Sequence, residues 1–200
     1  MNPIFIFAAL IFLCFSNPTR AAMCHPDDEA GLLSFKSGIT EDPSGILSTW
    51  KKGTDCCAWN SIYCNLDNRV TTISIGPENP GNFLSGTISP SLAKLQHLTD
   101  FELSNLLNIT GPFPQFLFQL PNLKYIFIDN TGLSGPLPVK IGSLRKLEGL
   151  RIPRNRFTGP IPSSISKLTR LRDVDFSWNE ISGSPARFLN KAKYLREFIA

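Results

Sequence analysis

The sequence predicts a right-handed solenoid of short stacked coils, with a parallel sheet on its concave side and 3-10 or irregular structure on its convex side. Three observations carry this prediction. A glycine recurs at Gly86, Gly111, Gly135, Gly159 and Gly183, at spacings of 25, 24, 24 and 24 residues, and self-similarity at such a period marks a repeat architecture. The same unit is written around each glycine, most cleanly as LRKLEGLRIPRNRFTGPIPSSISK from Leu144 to Lys167. Within that unit Leu150 and Ile152 alternate with outward residues, the period of a short strand with one buried face. No coil can bury its own apolar side, so the coils must stack.

The elements follow in chain order. Ile4 to Phe15 is an almost unbroken apolar run, followed by polar residues and then Ala21 and Ala22. As a helix this run spans roughly 18 Å, well short of the about 30 Å of hydrocarbon in a bilayer. Residues 1–22 therefore read as a secretory signal peptide cleaved near Ala21 or Ala22, and no later stretch reads as a membrane span. Of the five cysteines, Cys14 leaves with that peptide, and Cys24, Cys56, Cys57 and Cys64 remain. Four cysteines allow three pairings, although the adjacent Cys56 and Cys57 are poorly placed to pair with each other. Their spacing does not match a zinc site, and the secretory route is oxidising, so no metal or other cofactor is expected. Residues 24–64 read as a cap over the open apolar end of the solenoid. Its helix is expected from Asp28 to Ile39, with Leu32, Leu33 and Phe35 turned inward.

Residues 65–200 carry the repeats, and the segment from Gly76 to Phe83 reads as a loop inside the first. The unit has the form of a leucine-rich repeat. After the strand, Asn155 stands where the chain turns, with an amide able to satisfy backbone groups of neighbouring coils. Phe157 points inward, Gly159 permits a tight backbone, Pro160 and Pro162 favour an extended return, and Ile165 and Leu168 re-enter the core. Leu106 and Thr131 replace the asparagine in two coils, the first of which has one extra residue. The last repeat loses its Ile-Pro pair at Ser184-Pro185-Ala186. Locally looser coils are expected at these places. An offset of 24 puts Ala192, Leu195, Phe198 and Ala200 on the slots of Leu168, Leu171, Val174 and Phe176, so the last repeat is incomplete. The expectation drawn from this is a truncated product, or one dependent on a partner, with mobile residues after about Asn190.

The Gly159-Pro160-Ile161-Pro162 element and its variant Gly135-Pro136-Leu137-Pro138 resemble the plant-specific class of extracellular leucine-rich repeats. The segment CHPDDEAGLLSFKSGI, Trp50 and the stretch TDCCAWNSIYC extend the resemblance to the N-terminal cap. The whole is similar to polygalacturonase-inhibiting proteins, DNA-damage-toleration leucine-rich proteins and plant receptor-kinase ectodomains. This resemblance implies a helical, disulfide-bonded N-terminal cap paired Cys24–Cys56 and Cys57–Cys64.

The formal charge of +4 is modest, and without a basic run or aromatic-basic interleaving it argues against nucleic acid. His25 and His97 are the only histidines, and neither adjoins a nucleophile or paired carboxylates. No phosphate loop, kinase signature or metal-spaced cluster is written, so no catalytic residue is assigned and the chain does not read as an enzyme. Asn108-Ile109-Thr110 is an acceptable N-glycosylation sequon, whereas the proline in Asn17-Pro18-Thr19 excludes that one.

The repeat register instead defines a face. Outward slots stack into columns of Asp100, Tyr125, Gly149 and Asp173; of Glu102, Phe127, Arg151 and Asp175; and of Asn105, Asn130, Arg154 and Trp178. Tyr125, Phe127, Arg151, Arg154, Asp173, Asp175 and Trp178 have the aromatic-plus-arginine chemistry of protein-binding anchors. The bland alternative is a solvated ladder of charge pairs. Three functions compete for this face. One is a secreted recognition protein that blocks a pathogen cell-wall hydrolase. Another is a cell-surface signalling module binding a peptide or receptor ectodomain. A third is a wall protein holding acidic polysaccharide. The expected location is the cell wall or the outer face of the plasma membrane.

Overall fold

The computed structural model describes residues 23–77, 81, 83–183 and 197–199. The signal-peptide reading, half of the Gly76–Phe83 loop and most of the segment after Gly183 fall outside the described residues. Helix α1 spans Pro26–Ser37, two residues earlier at both ends than expected. The His25 side chain accepts from the Asp27 amide and Pro26 occupies the first turn, where a missing N–H costs nothing. Asp27, Asp28 and Glu29 lie at the positive end of the helix dipole. The helix stops because β1 (Ile39–Glu41) leaves to pair with a later strand.

Leu32 and Phe35 are buried and Leu33 is partly so. Trp50 joins them, with its ring centroid 5.9 Å from Phe35 and 5.6 Å from Trp59, and its Nε1 donates to the Asn60 carbonyl. Cysteines 24 and 56 are bonded, as are 57 and 64, with Cα separations of 5.4 and 5.6 Å. These are the pairings the resemblance implied. A buried ion pair fixes the cap to the first strands. Fully buried Asp28 accepts from Arg69 Nε and Nη2 and from the Val70 amide, all at 2.9 Å.

The remaining strands are β2 (Ile62–Cys64), β3 (Val70–Ile75), β4 (Ser85–Thr87), β5 (Asp100–Gly111), β6 (Tyr125–Pro136), β7 (Gly149–Arg151), β8 (Arg156–Pro160), β9 (Asp173–Asp175), β10 (Glu180–Ser182) and β11 (Glu197–Ile199). The concave sheet runs β2-β3-β5-β6-β7-β9-β11, parallel throughout except for the antiparallel β2. A second row of pairings joins β4 to the end of β5, then the end of β6, β8 and β10, with β1 laid antiparallel on its outer edge. Phe198 pairs with Val174, the slot predicted by the 24-residue offset. Short 3-10 turns at Pro90–Lys94, Gln115–Gln119, Val139–Ser143 and Ser163–Lys167 form the convex side. The fold is a right-handed leucine-rich repeat solenoid.

Its core is the stack of inward residues, from Ile73, Phe101, Ile126, Leu150 and Val174 on one row to Phe113 and Phe157 behind. Asn155 works as the sequence suggested. Its Nδ2 donates to the carbonyls of Ile128, Ile152 and Pro153, and its Oδ1 accepts from the Thr131 amide and hydroxyl. Asn179 repeats the pattern one coil on. The Thr131 substitution is thus absorbed by its neighbour. At Leu106 the ladder slips instead: Leu106 lies opposite Thr131 but Thr110 lies opposite Gly132, so the extra chain bulges outward with Leu107 and Asn108 exposed while Leu106 stays buried.

Candidate functional site

The concave face is assembled by register. Asp100, Tyr125, Gly149 and Asp173 lie side by side on β5, β6, β7 and β9, and Glu102, Phe127, Arg151 and Asp175 form the parallel row two residues on. Strands lie about 4.8 Å apart and residues i and i+2 roughly 6.6 Å apart, so the two rows make one continuous surface. The first row also extends backward to Thr72 and, through antiparallel β2, to Tyr63, which is 60% exposed. Repeat counting missed Tyr63 because β2 belongs to the cap and runs against the repeat direction.

Asn105, Asn130, Arg154 and Trp178 form the third column, and all four have positive φ, at 55, 54, 53 and 57°. This left-handed backbone aims amides at the next coil. Asn130 N–H donates to the Pro153 carbonyl and Arg154 N–H to the Ser177 carbonyl. Bulky residues in this region cost on the order of 1–3 kcal/mol each. Trp178 occupies it while 81% exposed. Strain and exposure therefore meet on one aromatic side chain.

Acids on the later rungs are paired with arginines. Arg151 lies 3.7 Å from both Asp173 and Asp175, with its guanidinium 5.5 Å from the centroid of Phe127. Arg154 pairs with Asp129, a buried carboxylate the sequence did not single out. Asp175 differs from the expectation of a solvent-facing slot. It is buried, and its Oδ1 accepts from the Ser177 amide and hydroxyl, so it braces the turn that presents Trp178. Tyr125 is 42% exposed and its hydroxyl donates to Glu148. Partial desolvation first, then the Glu148 carboxylate with Asp100 behind it, holds that hydroxyl above its ordinary pKa, against a smaller opposing effect of Arg172. The ring leans over Gly149, where an added Cβ would meet it at 2.8 Å.

Cys24, Cys56 and Cys57 bring their sulfurs within 4.8 Å, but all three are spent in disulfides and offer no thiolate to a metal. His25 caps α1. Asn108 is exposed on the β5 bulge, away from the two rows. Phe113 and Phe116 are buried and Phe118 stacks on Phe113, so these aromatics serve packing.

Residues 25–65 match the model for the leucine rich repeat N-terminal domain, and residues 146–168 match that for the leucine rich repeat. The solved structure of a pollen receptor kinase 3 is 30% identical with a TM-score of 0.68, over 76% of this chain and 72% of that one. The chain belongs to the plant extracellular leucine-rich repeat family. The DNA damage-repair/toleration protein DRT100 of Arabidopsis thaliana is 33% identical over 62% of this chain and 36% of its own length. The polygalacturonase inhibitor of Pyrus communis is 32% identical over 60% of this chain and 35% of its own. The chain thus spans about a third of the length of these curated relatives. The relatives also include a second polygalacturonase inhibitor, from Oryza sativa, and the phytosulfokine receptor 1 of Arabidopsis thaliana. No helix among the described residues is long and apolar enough to cross a membrane.

Proposed function

We propose that this chain is a recognition protein of the cell wall or outer membrane face, and that its concave surface holds a protein partner. In this reading the partner is a pathogen cell-wall hydrolase whose active cleft is covered. Trp178 carries the reading: a large aromatic in a strained left-handed conformation, exposed, and braced from below by buried Asp175. Stability alone does not explain that combination, whereas an interface anchor does. The polygalacturonase inhibitors among the relatives favour a hydrolase, and the receptor ectodomains among the structural neighbours favour a signalling partner as the competing identity.

Capture of partners from wall extract with the purified mature chain separates the two. Phe127→Ala and Trp178→Ala should each weaken capture by roughly thirtyfold, as expected of anchors worth about 2 kcal/mol, with secretion and circular dichroism unchanged. Normal capture by both, with loss on Lys140→Glu on the convex side, would place the site on the wrong face.

A second reading, adhesion to acidic polysaccharide, is favoured by a different surface. The last 3-10 turn and the connectors between such turns and the strands expose Lys124, Arg145, Lys146, Lys167, Arg170 and Arg172, and none of these is in an ion pair among the described residues. Elution of the chain from wall material by salt alone would support this reading.

A further inference from the structure

The concave face carries two pairs of acids at i and i+2, and the chain supplies a cation to only one of them. On β9, Asp173 and Asp175 stand at i and i+2, and Arg151 on the adjacent β7 reaches both while lying over Phe127. On β5, Asp100 and Glu102 stand at i and i+2, with Tyr125 and Phe127 directly beside them on β6. Among the described residues neither acid forms an ion pair. Asp100 accepts from the Thr99 hydroxyl, and Glu102 accepts from Ser74 Oγ at 2.7 Å. Both contacts are neutral and leave the negative charges uncompensated. Both acids are half-buried, hence partly desolvated yet reachable.

Two carboxylates and two aromatic side chains thus mark a rectangle of roughly 4.8 by 6.6 Å. A cation at its centre is within reach of both carboxylates and within the about 6 Å over which an aromatic face attracts it. We infer that the protein partner of the concave face seats an arginine or lysine side chain on Asp100, Glu102, Tyr125 and Phe127, the counterpart of what Arg151 does for Asp173 and Asp175. This deepens the recognition reading and rests on it. It adds that the partner approaches the cap-proximal half of the face with a basic segment, while the distal half, where Arg151 already serves the acids, contributes Trp178.

The test uses the secreted, disulfide-intact chain and an acetylated, amidated hexapeptide of alternating glycine and arginine. Its twin carries neutral citrulline in place of arginine. Amide chemical shifts are followed during titration. The arginine peptide should give saturable shifts confined to the strands around Asp100, Glu102, Tyr125 and Phe127, weakened by salt. The double variant Asp100→Asn, Glu102→Gln should bind about tenfold or more weakly, and Glu180→Gln should bind as the parent does. Equal binding of the citrulline peptide, undiminished binding by the double variant, or no saturable shift on these strands overturns the inference. With a captured partner in hand, loss of capture on Trp178→Ala but not on the double variant refutes the cation seat and leaves the face standing. Undiminished capture by both refutes the face as well.

Discussion

Replacing Asn155 by alanine should destabilise this protein far more than a polar residue in a turn normally would. The amide is buried and makes five hydrogen bonds across two coils. Truncation deprives the Thr131 amide and hydroxyl of their acceptor, at 3.0 and 2.5 Å, and the Ile128 carbonyl of a donor at 2.7 Å. A buried polar group left without a partner costs about 1–3 kcal/mol. Three such losses, partly relieved by local relaxation, give about 3 kcal/mol. At roughly 2–4 °C per kcal/mol for a domain of this size, melting followed by circular dichroism should fall by about 6–12 °C. Thr131→Val removes the hydroxyl and keeps the amide bond, so it should cost about 1 kcal/mol. Asn155→Asp keeps the acceptor but sets a carboxylate against three carbonyls, and should be no better than alanine. Hydrogen exchange supplies the local check, because the Thr131 amide should lose protection before amides in the cap. A melting temperature within about 1 °C of the parent, with Thr131 still protected, would refute the account of the asparagine as the tie between coils.

Three further outcomes follow from the cap and the bulge. Intact-mass analysis of the secreted protein should show no free thiol and loss of the first 21 to 23 residues, and Cys24→Ser should cost about 2–5 kcal/mol. Two or more titratable thiols in the parent would contradict this. Asp28→Ala strands Arg69 and the Val70 amide at a fully buried site and should cost about 3–5 kcal/mol in denaturant unfolding. The double variant Asp28→Ala, Arg69→Ala should recover part of that, and strict additivity would show that the two do not act as a pair. Secreted protein should lose one glycan's mass on enzymatic deglycosylation, and Asn108→Gln should abolish that shift without altering partner capture, since the bulge lies off the concave rows.

The period of 24 was legible along one chain because burial of each coil requires the same apolar slots, and Phe198 falls beside Val174 as that period requires. The same holds for the packing of Phe157, the row that carries Phe127 and Arg151, and the tie made by Asn155. Each of these depends on composition at fixed spacing. What the sequence could not reveal depends on the neighbouring coil. The left-handed backbone at Asn105, Asn130, Arg154 and Trp178 is held in part by carbonyls of the following coil, those of Pro153 and Ser177; asparagine favours that conformation, but arginine and tryptophan do not announce it. Asp175 reads as a surface acid until Ser177 and Arg151 close over it. Tyr63 joins the face because β2 turns back against β3, reversing the direction in which the repeats are counted. Which acids gain a cationic partner is likewise settled by reach across strands. Arg151 extends to Asp173 and Asp175 on the adjacent strand, whereas Asp100 and Glu102 are two strands away from it. Linear spacing assigns residues to a face, but contacts between coils decide their backbone conformation, burial and net charge.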